Sequence, residues 1–169
     1  MTKKTGFITL TLIVLLISFV TFYQINVLQV FIVDKGTQFG SVIYEDSIGS
    51  ESLFSVHWIH SVSLRPVIET YKIEKNNQIS IHEMIFDSFS ANLPAQPEYN
   101  TKWEYFDDHI RVTNYDVIFD AVPVVIGKVV ADHTLYFKDK IVPLKDLYKP
   151  GGYVKIRVVR MSLIEYLLK

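Results

Sequence analysis

The residues best suited to chemistry in this chain lie in one short segment and at one distant position. Within ten residues the segment supplies an imidazole at His60, a hydroxyl at Ser61, a guanidinium at Arg65 and a carboxylate at Glu69. An imidazole near a hydroxyl and a carboxylate is the set that a nucleophilic triad uses. A second imidazole, at His133, makes a three-ligand metal site with His60 and Glu69 conceivable.

The same five side chains also suit a structural role at a turn between two strands. In that interpretation His60 and Arg65 bond backbone carbonyls, and Glu69 pairs with Arg65. Polar networks at bends are commonly structural, so we favour this interpretation over ligand binding and place catalysis last. We therefore predict no catalytic residue, no enzymatic activity, no cofactor and no resident metal. The candidate shared or ligand-binding site consists of His60, Ser61, Arg65, Glu69 and His133, and the metal set His60, Glu69 and His133 is kept as an alternative.

The composition excludes several classes of protein. The 169 residues include 17 Lys and Arg against 18 Asp and Glu, so no cationic excess is available to neutralise a nucleic-acid backbone. The absence of cysteine excludes disulfides, thiolate nucleophiles and a lipid anchor on an N-terminal cysteine. No glycine-rich phosphate loop, nucleophile elbow or helical zinc motif is present.

The N-terminal segment is a run of apolar residues from Phe7 to Tyr23, preceded by Lys3 and Lys4. Only Thr and Ser interrupt it, and their hydroxyls can bond back to their own helix. The run is at the short end for a spanning helix, and we expect Ile25, Val27 and Leu28 to extend it. Since no small-residue cleavage site follows, we favour an uncleaved signal-anchor over a cleaved export signal. The lysine pair then predicts a cytoplasmic N-terminus and an extracytoplasmic C-terminal part at the cell membrane.

The sequence after this segment alternates with period two, and turn residues recur every eight to twelve positions. This spacing predicts an all-β fold: one antiparallel sandwich or barrel-like domain over residues 34–169, after an anchor segment over residues 1–33. The clearest hairpin joins strands 67–73 and 79–86, and strands 133–137 and 141–144 form a second pair. The final residues 162–169 have the apolar spacing of one or two helical turns, which would cap the domain, contact the anchor or lie on the membrane.

A long loop over residues 88–101 separates the hairpin from the later strands. The aromatic residues near it are expected to serve packing, and a ligand cleft is the alternative. These residues are Tyr99, Trp103, Tyr105 and Phe106.

The segment 54–62, with Pro66-Val67 and Glu69 after it, resembles the signature of domain-of-unknown-function family 1850. Members carry a His-Ser-Val element, a Pro-Val and Glu on the next strand, and a Gly-Ala-Gly-Leu-Pro-like loop. That loop reads Ser90-Ala91-Asn92-Leu93-Pro94 here, so both glycines are replaced. Asn92 is expected to manage a positive backbone angle in place of glycine, and Ser90 is less suited to one.

The resemblance covers roughly residues 28–160 and makes His60, Ser61, Glu69 and His133 the matching positions. It implies a small membrane-anchored accessory protein of a TAXI-type tripartite (TRAP) solute transporter, with the permease or the solute-binding protein as partner. Two alternatives stay open: a stand-alone domain that binds a small ligand or a metal, and, ranked last, a serine hydrolase that uses Ser61.

Overall fold

The computed structural model of the chain describes residues 3–33, 40–98 and 100–169, so Tyr99 and the predicted domain start at residue 34 lie outside the described residues. Three helices and twelve strands occur in the described part. The helices are α1 (Lys3–Phe22), α2 (Leu144–Leu147) and α3 (Leu163–Leu167). The strands are β1 (Gln24–Ile32), β2 (Val42–Ser47), β3 (Leu53–Ile59), β4 (Pro66–Ile73), β5 (Ile79–Phe86), β6 (Lys102–Tyr105), β7 (Ile110–Thr113), β8 (Ile118–Phe119), β9 (Val122–Val125), β10 (Thr134–Phe137), β11 (Lys140–Pro143) and β12 (Tyr153–Ser162).

After its two N-terminal lysines, helix α1 consists of apolar residues with only Gly, Thr and Ser among them. The hydroxyls of Thr11 and Thr21 donate to the carbonyls of Phe7 and Ile17, at 3.0 and 2.8 Å, so they are satisfied within the helix as expected. Its large apolar side chains from Phe7 to Phe22 are largely exposed to solvent. Within the described ranges, however, no helix has the length and apolar character needed to cross a membrane.

The segment after α1 corrects one expectation from the sequence. Residues 24–32 do not extend the helix but form β1, which pairs antiparallel with β12 from Gln24↔Ser162 to Ile32↔Val154. Val27, Leu28 and Val30 are completely buried there. The helix ends at Phe22 because these side chains belong to the core of the β domain. The predicted boundary at residue 33 therefore assigns β1 to the anchor segment, whereas the structure makes β1 part of the β domain.

Two antiparallel sheets form the rest of the described chain, which confirms the all-β class. The first sheet has the order β2-β1-β12-β9. The second has the order β11-β10-β3-β4-β5-β7-β6, with β8 paired to β5. The predicted hairpins β4–β5 and β10–β11 are both confirmed.

The two sheets share one hydrophobic core. Buried side chains of the first sheet, such as Leu28 and Ile156, belong to the same cluster as Phe54 and Leu135 of the second sheet. A second cluster includes Val67, Phe86 and Leu93 and lies under the loop after β5. Trp58 of β3 packs against both clusters, so the end of β3 is held where the two meet.

Helix α3 is tied to the end of α1. The backbone N–H of Leu163 donates to the carbonyl of Tyr23 at 2.8 Å, and Ser162 caps α3 by accepting from the N–H of Glu165. The C-terminal residues therefore form the short helix that the sequence predicts, and α3 contacts α1 and β12.

Candidate functional site

The turn that joins β3 to β4 is built on His60. The N–H of His60 donates to the carbonyl of Arg65 at 2.8 Å, and the N–H of Leu64 donates to the carbonyl of His60 at 2.9 Å. Closing the turn places Leu64 at φ 55°, in the left-handed region that a leucine rarely adopts. Such strain costs on the order of 1–3 kcal/mol and persists only where the surroundings fix it.

The imidazole of His60 is buried, and both of its nitrogens are bonded within the chain. Nε2 lies 2.7 Å from the carbonyl oxygen of Ala91, which can only accept, so Nε2 carries the proton. Nδ1 is then the acceptor for the backbone N–H groups of Val62 and Ser63, at 3.2 and 3.3 Å. It also accepts from the hydroxyl of Ser90 at 3.2 Å. The ring therefore joins the β3–β4 turn to the loop after β5, and we call this arrangement the His60 cluster.

The loop over residues 88–94 is shaped to meet His60. Asn92 has φ 66°. This confirms that asparagine adopts the positive backbone angle at the position where the family pattern has glycine. Leu93 is buried in the second core cluster and holds the loop down. Ser90 has no positive backbone angle and contributes its hydroxyl to His60 instead.

Arg65 reaches the same loop region through a different partner from the one expected. Its Nε donates to Asp87 Oδ2 at 2.8 Å, and a second guanidinium nitrogen donates to the same oxygen. The predicted pairing of Arg65 with Glu69 is wrong because Glu69 is bonded elsewhere, to Tyr71 of its own strand. The ion pair is thus a second connection between the β3–β4 turn and the end of β5.

Glu69 is enclosed with two tyrosines. The phenol of Tyr71 donates to Glu69 Oε2 at 2.8 Å. Burial raises the pKa of Glu69, and the hydrogen bond from Tyr71 opposes this only in part. Burial and the nearby carboxylate also raise the pKa of Tyr71 and of Tyr115. The buried hydroxyl of Tyr115 has no hydrogen-bond partner among the residues that the structure describes.

His133 contacts the His60 cluster through Trp58. Its ring stacks on the Trp58 indole with a centroid separation of 5.5 Å, and the ring of His60 lies 5.6 Å from the same indole. Nδ1 of His133 donates to the carbonyl of Ala131 at 3.2 Å. Burial lowers the pKa of His133, while the Ala131 carbonyl and the charge of Asp132 act in the opposite direction.

The structure does not bring the three residues of the metal alternative together. Glu69 lies opposite Val56, four residues along β3 from His60, a separation of roughly 13 Å at the rise of a strand. Across residues 3–33, 40–98 and 100–169, no three His, Asp or Glu side chains are grouped to hold a metal ion. Ser61 is exposed in the turn, and the hydroxyl that contacts His60 is that of Ser90.

The aromatic residues near the long loop pack against one another. Phe89 stacks on Trp103 at 6.3 Å, and Trp103 also contacts Phe86 and Tyr105. Trp103 therefore has the expected packing role, whereas Tyr105 and Phe106 are mostly exposed and Phe106 stacks on His109.

Sequence reasoning missed two members of the His60 cluster, Ser90 and Ala91, and the partner of Arg65, Asp87. The replacement of a family glycine by Ser90 was the one signal in the sequence, because it introduces a hydroxyl that can form a hydrogen bond in this loop. Ala91 acts through its backbone carbonyl, so its side chain gave no signal.

Taken together, the fold and the site define a β domain of two antiparallel sheets in which an imidazole joins two loops. A family match covers residues 54–144, slightly more than half of the chain, and the family is described as a domain of unknown function, DUF1850. The chain therefore belongs to the DUF1850 family, as its motifs indicated. No curated protein and no solved structure is significantly similar to the chain.

Proposed function

We propose that this protein is a non-enzymatic accessory protein, attached to the cell membrane by α1, that binds a subunit of a TRAP-type (TAXI) solute transporter. The observation that carries the membrane attachment is the exposure of α1. Apart from Val20, the large apolar side chains from Phe7 to Phe22 are 49–76% exposed, and such a surface is stable only when lipid or protein covers it.

Helix α1 is shorter than an ordinary spanning helix, so the proposal requires the membrane to adapt to its length. The apolar stretch of α1 from residue 6 to residue 22 is about 25 Å long at 1.5 Å per residue, somewhat less than a hydrocarbon core of about 30 Å. A bilayer accommodates a short helix by local thinning and by the snorkelling of flanking lysines. Lys3 and Lys4 favour a cytoplasmic N-terminus, so the β domain would be extracytoplasmic.

The partner surface is proposed at the tip of the β3–β4 turn. Val62 and Leu64 are 72% and 61% exposed, and Phe89 of the neighbouring loop is also exposed. The His60 cluster fixes the two loops that carry these side chains. A rigid apolar surface of this kind is typical of protein interaction sites.

Catalysis at this place is disfavoured by the bonding of His60. A general base needs a free nitrogen within reach of the substrate, whereas both nitrogens of His60 are bonded to the protein. The exposed Ser61 has no imidazole bonded to it in the described part of the chain.

The membrane attachment is tested on the full chain in its native host. We expect the protein to stay in the membrane fraction after alkaline carbonate extraction, and external protease to digest the β domain in cells whose outer barriers have been removed. Release by carbonate, or complete protection from protease, would contradict the proposal.

The partner surface is tested by co-purification with the transporter subunits from mild detergent. Leu64→Asn removes an apolar side chain but suits a positive φ better, so it should reduce co-purification while leaving the domain at least as stable. Ile118→Asn is the matched control, since Ile118 is 60% exposed and pairs with the opposite end of β5. Co-purification that is absent in the wild type, or equal in the two variants, would refute the proposed surface.

A further inference from the structure

A cleft in the described part of the chain lies where α1 ends. It has a volume of about 500 Å³ and is bounded by Tyr23 at the end of α1. The rest of its wall comes from the start of β1, the end of β2 with Gly49 after it, the β4–β5 turn, the end of β12 and α3. We call it the α1 pocket.

Among the described residues, two cations and no carboxylate line this pocket. Arg160 of β12 and Lys75 of the β4–β5 turn both contribute to its wall, and no Asp or Glu of the described ranges does. Other cations nearby are already paired: Lys72 with Glu74, and Lys169 with Glu45. Neither Arg160 nor Lys75 forms an ion pair within the described residues.

Neutral hydrogen-bond donors complete the lining. Asn77 donates to the side-chain oxygen of Asn26 at 3.4 Å, which leaves the second hydrogen of its amide available. The phenolic oxygen of Tyr166 accepts from the N–H of Ser47 at 3.3 Å, so its own hydrogen is free to donate into the pocket. A cleft with two unpaired cations, neutral donors and no acidic side chain is suited to an anion.

From these observations we infer that the α1 pocket binds a phosphate-bearing anion, with Arg160 as the bidentate ligand and Lys75 as the second cation. A guanidinium matches two phosphate oxygens in one plane, and an ammonium contributes a point charge. Where α1 is inserted in lipid, as proposed above, Tyr23 is at the edge of the apolar segment. The pocket then lies at the level of phospholipid headgroups, whose phosphates are one source of the anion, and free phosphate is the other.

The test uses the full chain in zwitterionic detergent micelles. Thermal unfolding is measured with added inorganic phosphate, with short-chain phosphatidylglycerol and with short-chain phosphatidylcholine. We expect an anionic probe to raise the unfolding temperature with saturation, and Arg160→Gln to weaken that binding about 10- to 100-fold, the usual range for a lost hydrogen bond to a charged group. Lys75→Gln should weaken it less.

The control is Lys155→Gln on the same strand, because Lys155 is outside the pocket lining. Stabilisation by phosphatidylglycerol alone identifies a headgroup, and stabilisation by inorganic phosphate identifies a free anion; both support the site. No saturable effect of either probe, or an equal loss in Arg160→Gln and Lys155→Gln, would overturn it. The experiment needs neither a bilayer nor the transporter, so its failure is separate from failure of the membrane attachment.

Discussion

Replacing His60 with alanine is the sharpest test of the His60 cluster. The substitution removes the donor to the Ala91 carbonyl and the acceptor shared by Val62, Ser63 and Ser90. If the imidazole joins the two loops, its loss destabilises the domain. If the imidazole has no structural role, its loss leaves the free energy of unfolding unchanged.

The expected magnitude follows from the bonds that are lost. Three donors share the one lone pair of Nδ1, so the lost bonding amounts to between two and four neutral hydrogen bonds at about 1 kcal/mol each. The turn residues are close to the surface, so water replaces part of the bonding to the Val62 amide, and we expect a loss of about 2–4 kcal/mol. For a domain of this size each kcal/mol lowers the melting temperature by about 2–4 °C, which gives a decrease of about 4–16 °C.

The assay is urea unfolding of the full chain in detergent, followed by tryptophan fluorescence, since Trp58 contacts the His60 ring. His60→Asn keeps an acceptor near the Nδ1 position and should recover part of the loss. His82→Ala removes an exposed histidine of β5 and serves as the control. If His60→Ala unfolds within 0.5 kcal/mol of the wild type, a threshold set by the usual effect of surface substitutions, the assignment of His60 as a structural joint is refuted.

Three further predictions concern neighbouring groups. Because burial lowers the pKa of His133, the folded state favours the neutral ring, and the free energy of unfolding falls as the pH decreases below about 6.5. In urea titrations at pH 5–7.5, His133→Phe should flatten this pH dependence. An unchanged slope would contradict the prediction. Because burial raises the pKa of Glu69, the free energy of unfolding falls as the pH rises through that pKa. Glu69→Gln should remove this loss of stability between pH 4 and 8. If the variant keeps the wild-type pH profile, Glu69 is not the group that causes the loss. A double-mutant cycle of Arg65→Ala with Asp87→Ala should show a coupling free energy of unfolding, because the two side chains are bonded. A cycle of Arg65→Ala with Glu69→Ala should show none. The reverse result would support the pairing of Arg65 with Glu69 that the sequence predicted.

The predictability of the fold depended on the length of each alternating pattern. The hairpin β4–β5 has a clear period of two and a polar turn, so its strands were found within one residue. Strand β1 was missed because its apolar residues follow directly after those of α1, with only Gln24 and Asn26 to mark the change. The pairing of β1 with β12 joins residues more than 120 positions apart, and no local pattern reports such a contact.

The candidate site was predicted in kind but not in partners. The position of His60 at a bend predicted a structural role with a backbone carbonyl as its partner. The ring does bond a backbone carbonyl, that of Ala91. The partner of Arg65 could not follow from sequence distance, since Glu69 is four residues away and Asp87 is 22. Strand register decides the pairing: β4 runs antiparallel to β5, with Val67 opposite Phe86, so the turn before β4 lies beside Asp87 at the end of β5.

Under the proposed function, the bonding of His60 favours contact of the partner with exposed apolar side chains instead of with the imidazole. A ligand that used the imidazole would have to displace the Ala91 carbonyl from Nε2, or the two backbone amides and the Ser90 hydroxyl from Nδ1. Each displaced group would be left without its partner, which costs more than a new bond returns. A partner that contacts Val62, Leu64 and Phe89 pays no such cost, because these side chains are already exposed and the cluster fixes the loops that carry them. Under the proposed function, His60 and Arg65 therefore act by fixing the two loops that carry the apolar contact surface.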